Sequence, residues 1–188
     1  MQDKQIHNTL IIGAGGAGCD IAKTIAQNMQ QELLLINTYL PTLDNNNADS
    51  KIFLDFSGQN QSQDNLAALL TAEQNTINTA LNGKDKIIIC AGLGGFAGTN
   101  CALILAKMFQ QKSLPITVVV TLPMEFESAK YRNIAEQSLT QLQQFTDNIL
   151  VHDHAKKQTL SQNRNLSLED YFKQVATQLA AEAANLNG

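Results

Sequence analysis

The chain has 188 residues, 44% of them hydrophobic, with a formal charge of −4 and three cysteines. That suits one domain with a sizeable core, while no apolar run reaches the length of a bilayer-spanning helix and no Lys/Arg block offers a surface to nucleic acid or anionic membrane. Cys19, Cys90 and Cys101 follow no metal or redox spacing and read as small apolar fillers; with no signal-peptide pattern before Gly13, the expected location is cytoplasmic.

Ile6 to Ile12 reads as a strand that ends at Gly13-Ala14-Gly15-Gly16-Ala17-Gly18, and Cys19 to Gln30 then has helical apolar spacing. Leu33 to Ile36 is a second strand closed by Asn37-Thr38, completing a βαβ unit with parallel strands. Pro41 to Asp49 is polar turn material, Lys51 to Leu54 a short strand, and Ser57 to Gln63 a loop. One helix is expected from Asp64 to Leu81, with Leu66, Leu69, Leu70, Ile77 and Leu81 on one face and Asn82-Gly83 as its stop. Lys86 to Cys90 is a buried strand. It runs into Ala91-Gly92-Leu93-Gly94-Gly95-Phe96-Ala97-Gly98-Thr99-Asn100-Cys101, with a helix from Ala102 to Phe109. Ile116 to Val120 is another buried strand, Pro123 to Ser128 a loop, and Ala129 to Phe145 a helix that buries Ile134, Leu139, Leu142 and Phe145. Asn148 to Val151 makes a sixth strand ending at His152-Asp153-His154. After Arg164-Asn165 a last helix spans Ser167 to Leu186, with Ser167 and Asp170 as a capping box and Leu168, Phe172, Val175, Leu179 and Ala183 as its apolar stripe.

Strands alternating with helices, most of them unbroken Val/Ile/Leu runs, specify an α/β fold. It is an open, mostly parallel Rossmann-like sheet of about six strands with helices on both faces. No linker or repeat divides it, so residues 1–188 read as a single domain.

Two Gly-rich stretches each join a strand to a helix. Backbone N–H groups there surround the positive end of a helix dipole, which suits a phosphate. Each stretch alone is also consistent with a tight turn that binds nothing. Both follow strand C-ends, however, and in open parallel sheets those ends share one crevice. A nucleotide is the expected ligand.

Gly13, Gly15 and Gly18 satisfy G-x-G-x-x-G, which opens the alternative of an NAD- or FAD-binding oxidoreductase. That alternative needs an acidic residue closing the second strand, where Asn37 and Thr38 stand, and has no use for a second Gly-rich loop. No Gly-Lys-Ser/Thr of a Walker P-loop is present. His152 and His154 alternate at a strand end as a two-histidine metal pair or as polar rim residues, and Glu125 and Glu127 share a loop with nothing to set their geometry.

Leu10-Ile11-Ile12-Gly13-Ala14-Gly15-Gly16-Ala17-Gly18 resembles the first nucleotide loop of the FtsZ/tubulin GTPases, and Ala91 to Thr99 resembles their tubulin signature, normally Gly-Gly-Gly-Thr-Gly-Thr-Gly. Asn37-Thr38 matches the end of that family's second strand. Val119-Val120-Thr121-Leu122-Pro123-Met124-Glu125-Phe126-Glu127 is similar to the FtsZ segment V-V-T-x-P-F-x-F-E, Ala135-Glu136-Gln137 recurs in the next helix, and Asp147 to Val151 matches the strand after it. The likeness is to the N-terminal nucleotide-binding domain.

The resemblance implies GTP or GDP as ligand, with Mg²⁺ accompanying GTP. It implies α- and β-phosphates held by the loop of Gly15, Gly16, Ala17, Gly18 and Asp20, with Gly13 also at the nucleotide, and β- and γ-phosphates by Gly94, Gly95, Phe96, Ala97, Gly98 and Thr99; Asp20, standing for an Asn, would accept from guanine N1 and N2. Glu127 and Arg132 would flank the phosphates, while His154 and Phe172 would meet the base, Phe172 by stacking. The departures are Phe96 and Ala97 for Gly and Thr, Tyr39 for Asp, Tyr131 where the family has Arg, Asp20 and His154 for Asn, and Thr177 for a base-reading Asp. The family assembles hydrolysis between subunits, one supplying acids from a loop after its central helix. Here that helix is the last element before Asn185-Leu186-Asn187-Gly188. The expectation is a guanine-nucleotide-binding protein, weak or inactive as a GTP hydrolase alone, with catalytic residues unassigned. Its expected partner is an FtsZ-like filament subunit or a second copy, with regulation of a cell-division filament as the role. The alternatives are a pseudo-GTPase interaction module with an empty pocket, and the oxidoreductase.

Overall fold

The computed structural model describes residues 8–156 and 167–186. The expected strand start at Ile6, the Arg164-Asn165 step and the terminal Asn187-Gly188 lie outside the described residues.

Six parallel strands, β1 (Thr9–Ala14), β2 (Glu32–Asn37), β3 (Ser50–Phe53), β4 (Lys86–Gly92), β5 (Ile116–Leu122) and β6 (Ile149–Asp153), form one sheet in the order β3-β2-β1-β4-β5-β6. The seven helices of the described residues are α1 (Gly15–Met29), α2 (Leu40–Asp44), α3 (Gln63–Ala72), α4 (Gln74–Ala80), α5 (Phe96–Gln111), α6 (Ala129–Leu142) and α7 (Leu168–Leu186).

Burial explains the strand sequences. β1 and β5 are buried at every residue, because helices cover both faces of the sheet, whereas the edge strands β3 and β6 alternate or expose residues. Successive residues serve opposite faces. Leu10, Ile12, Leu34, Ile36, Ile87 and Ile89 pack on one side with Leu66, Leu105, Phe109 and Leu142 from α3, α5 and α6. Ile11, Leu35, Ile88 and Val119 pack on the other with Ile21, Ile25, Tyr171, Val175 and Leu179 from α1 and α7. A fully buried Leu or Ile contributes about 1.5–3 kcal/mol, so these two layers dominate the stability.

Several expectations change. α1 and α5 open at Gly15 and Phe96, inside the Gly-rich stretches and ahead of the expected Cys19 and Ala102. The single helix from Asp64 to Leu81 is two, α3 and α4, which meet at Glu73, a C-cap to one and N-cap to the other. Tyr39-Leu40-Pro41 opens a short helix within what reads as turn material, Pro41 supplying a helix-compatible φ in its first turn. α6 stops at Leu142, short of Phe145. In α7 the stripe rotates at its N-terminal end. Tyr171 is buried there, while Leu168 and Phe172 are 52% and 44% exposed. The capping box holds: Ser167 Oγ accepts from the Asp170 amide at 3.1 Å and donates to Asp170 Oδ2 at 2.7 Å.

β1 and β4 are neighbours, yet α1 leaves β1 toward one face and α5 leaves β4 toward the other. Their C-terminal ends therefore border the crevice where open parallel sheets bind ligands.

Candidate functional site

The two Gly-rich bends touch. Gly15 opens α1 at φ +71°, a conformation only glycine adopts cheaply, and a Cβ there would lie 2.8 Å from the Gly98 amide nitrogen. Gly98 in turn packs so closely that a Cβ would stand 2.6 Å from the Gly92 carbonyl and 3.2 Å from that of Ala14. Between the bends lies a hollow of about 310 Å³ walled by Gly15, Gly16 and Ala17 on one side and Gly95, Phe96, Ala97 and Gly98 on the other. The Phe96 ring is half-buried and rests edge-on against Phe56 at 5.6 Å, so it forms part of the wall and leaves the hollow open.

Both helix starts at this hollow are bare. Neither Ala14 before α1 nor Gly95 before α5 caps its helix with a side chain, and neither first turn holds an acid. α3, by contrast, is capped by Ser62, which accepts from the Asn65 amide, and α7 by its Ser167 box. Unpaired first-turn N–H groups and two dipole ends thus converge on one cradle, the electrostatics of an anion site.

The hollow opens into a cleft of about 670 Å³ between α1 and α7, with Gly16 and Ala17 on both walls. Asp20, His154 and Phe172 line it, joined by Lys23, Thr24, Gln27, Thr121, Glu169 and Lys173, which the sequence does not single out. The size is that of a small-molecule site. Burial raises the Asp20 carboxyl above its ordinary value, with Lys23 opposing the shift.

The remaining expected residues line neither cavity. Gly13 and Gly18 let α1 settle onto the sheet, a Cβ on Gly18 colliding with the Cys90 carbonyl. Gly94, at φ +107°, backs onto Pro123 and the Tyr131 carbonyl, and its amide donates to the buried Thr99 hydroxyl at 2.9 Å. Glu127 accepts from the Met124 amide at 2.8 Å within its own loop. Arg132 forks onto both carboxylate oxygens of Asp153 at 2.7 Å each and also meets Glu136 at 2.7 Å. Those hydrogen bonds hold Asp153 down at about 2 and raise Arg132. Thr177 Oγ1 donates to the Lys173 carbonyl of its own helix. Asn37 accepts from the Thr38 and Tyr39 amides, turning onto its own backbone.

Tyr171 is the residue sequence reasoning missed. Its hydroxyl lies 2.8 Å from His154 Nδ1 and 3.3 Å from His152 Nε2, which puts both histidines on one side of β6. The signal was present as the i, i+4 series Tyr171, Val175, Leu179 and Ala183. Among the described residues, no group of three His, Cys, Asp or Glu is placed to hold a metal ion. The three cysteines are buried, which pushes the Cys19 and Cys101 thiols up to about 12 and raises Cys90 as well, so none is a poised nucleophile.

The model of the Tubulin/FtsZ family, GTPase domain, matches residues 8–162. "Cell division protein FtsZ" of Aquifex aeolicus is 30% identical over 179 residues, covering 90% of this chain and 48% of that protein. The protein of the same name from Rickettsia typhi is 29% identical over 170 residues, 87% of this chain and 37% of that one. Among solved structures, the FtsZ W319Y mutant of M. jannaschii superposes with a TM-score of 0.77 at 25% identity, over 96% of this chain and 56% of that one. CetZ2 from Haloferax volcanii, solved as a GTPγS-bound protofilament, superposes with a TM-score of 0.78 at 23% identity, over 96% and 58%. The chain spans between about a third and half of the length of these curated relatives, 37% and 48%. With the motifs, the strand order and the family match agreeing over the same residues, the chain belongs to the Tubulin/FtsZ family.

Proposed function

We propose that this protein binds GTP or GDP, with the phosphates in the glycine cradle and the base in the α1–α7 cleft. The observation that carries the reading is the convergence of two uncapped helix N-termini on one hollow continuous with a nucleoside-sized cleft. Gly16 and Gly95 are exposed and have nothing within 4 Å of where a Cβ would stand, so a ligand can approach the backbone closely there. Asp20 suits the N1–H and 2-amino donors of guanine, and Phe172 suits a stacked ring. Mg²⁺ would be held chiefly by phosphate oxygens and water, as that ion usually is. The oxidoreductase alternative loses its support at Asn37, whose side chain is spent on its own turn and offers no carboxylate to a ribose.

Hydrolysis by the chain alone is slow or absent on this reading. Phe96 and Ala97 stand where the family signature has Gly and Thr, removing a hydroxyl from the cradle. Arg132 is committed to Asp153 and Glu136, and Tyr131 holds the family's arginine position. The relative solved as a protofilament makes association with a filament subunit or a second copy the natural partner, with regulation of a cell-division filament as the role.

Denaturing the purified protein and identifying released nucleotide tests the first claim: GDP or GTP is expected, while NAD(P) or FAD, or no nucleotide together with no binding of added GTP, overturns it. Sedimentation of a genuine filament former with this protein added tests the second, an unchanged polymer mass removing it.

A further inference from the structure

His154 stands on the cleft wall with Phe172 and Asp20. Its surroundings hold the imidazole in place: the His152 ring lies at 4.8 Å, the Phe172 ring edge-on at 5.5 Å, and the Tyr171 hydroxyl 2.8 Å from Nδ1. Tyr171 is 2% exposed, so that hydroxyl sits on a ring packed into the α1–α7 layer. Burial, with His152 beside it and Asp153 opposing, pushes the His154 pKa down to about 4, so at neutral pH the ring carries one N–H and one lone pair.

A phenol has one proton to give, and its oxygen lone pairs are partly delocalised into the ring, so it donates better than it accepts. The nearer acceptor is His154 Nδ1 at 2.8 Å, while the longer 3.3 Å contact suits an N–H of His152 pointing at the phenol oxygen. With Nδ1 of His154 as the acceptor, its proton falls on Nε2, a ring nitrogen with no partner among the described residues. A fixed neutral N–H beside a stacking ring and a carboxylate complements a base with a carbonyl oxygen. Against an amino group it leaves two donors opposed, the kind of mismatch that discriminates strongly in a desolvated site.

Resting on the nucleotide reading above, we propose that Tyr171 is a positioning residue that locks His154 as an Nε2–H donor, and that this donor selects 6-oxopurine over 6-aminopurine nucleotides. Asp20 reads N1–H and the 2-amino group, so the absolute IDP:ADP ratio contains its N1 contribution as well as the 6-position. With Asp20 left intact, the change in that ratio on substituting Tyr171 or His154 reports the 6-position, and GDP against IDP reports the 2-amino group.

The test uses the full chain stripped of nucleotide. Long-range ¹H–¹⁵N correlation spectra of the histidine side chains should show His154 as the Nε2–H tautomer, and Tyr171→Phe should shift it toward a mixture. The preference for IDP over ADP should fall about fivefold or more in Tyr171→Phe, while GDP over IDP stays within about twofold. His154→Gln, whose amide can present either a donor or an acceptor, should collapse the same IDP preference. An Nδ1–H tautomer in the wild type, or an unchanged IDP:ADP ratio in either folded variant, overturns the proposal and leaves the nucleotide site standing. A wild type that binds none of the three nucleotides overturns the site itself, and the proposal falls with it. Should Tyr171→Phe fail to fold, the wild-type tautomer and His154→Gln still decide.

Discussion

Gly15 and Gly98 stand back to back, with 2.8 Å between a Cβ built on the first and the amide nitrogen of the second. One contact thus couples the two phosphate-friendly bends, and a methyl group at Gly15 separates them. Gly15→Ala combines that clash with a left-handed backbone that alone costs about 1–2 kcal/mol in an L-residue. A fall in unfolding free energy of about 2 kcal/mol or more is expected in a denaturant titration, together with lost nucleotide binding. Gly16→Ala is the control: its methyl meets no protein atom within 4 Å. It should keep or slightly raise stability while weakening GDP about tenfold or more by crowding the cradle, an effect that isothermal titration would read directly.

Arg132 and Asp153 tie the start of α6 to the end of β6 through a two-point fork. The ionised carboxylate is the stabilising form, held at about 2 against an ordinary 3.8. Its contribution, about 2 kcal/mol, is complete above pH 4–5 and drains away as the pH falls through about 2. Asp153→Asn is therefore expected to destabilise by about that amount at neutral pH, and the two proteins should converge in stability between about pH 4 and pH 2. Chemical denaturation across that range checks it. A constant difference down to pH 2 would remove the ion pair as the cause.

Thr117 lies in β5 in register with Ile88, and its buried hydroxyl has no hydrogen-bond partner among the described residues. Valine matches its shape without the unmet polar group. Thr117→Val should raise stability by about 1 kcal/mol, visible as a higher denaturant midpoint at unchanged m-value; a lower midpoint would mean that the hydroxyl is satisfied in solution.

At the base end, Phe172 and Tyr171 are adjacent in sequence yet differ in burial, 44% exposed against 2%. Phe172→Ala should cost little stability but weaken nucleotide about tenfold through lost stacking, worth about 1–3 kcal/mol per base. Asp20→Asn replaces a charged acceptor by an amide and should cut the GTP-over-ATP preference roughly tenfold. Competition binding reads both, and a preference unmoved by Asp20→Asn would exclude Asp20 from base reading.

The sheet was legible because its strands are unbroken apolar runs punctuated by glycine, a local pattern that survives any tertiary detail. Ile87-Ile88-Ile89 and Val118-Val119-Val120 fall inside strands as read. The single helix over Asp64 to Leu81 divides because one apolar face continues across Glu73 while that residue leaves helical geometry at φ −88°, ψ 12°, and periodicity does not register one non-helical residue. The stripe of α7 was misread at its start because Leu168, Phe172 and Tyr171 satisfy overlapping spacings, and only packing against α1 and β6 selects Tyr171.

From its own letters the chain determines an α/β order, two glycine bends at strand ends, and enough family motifs to place it among the Tubulin/FtsZ proteins, since each of these depends on residues near one another in sequence. Only the tertiary structure decides that Gly15 meets Gly98, that Arg132 is held by Asp153, and that Tyr171 reaches His154, because each joins residues separated along the chain. Their distances follow from how helices settle on the sheet, a balance of close packing over the whole core that no local pattern encodes.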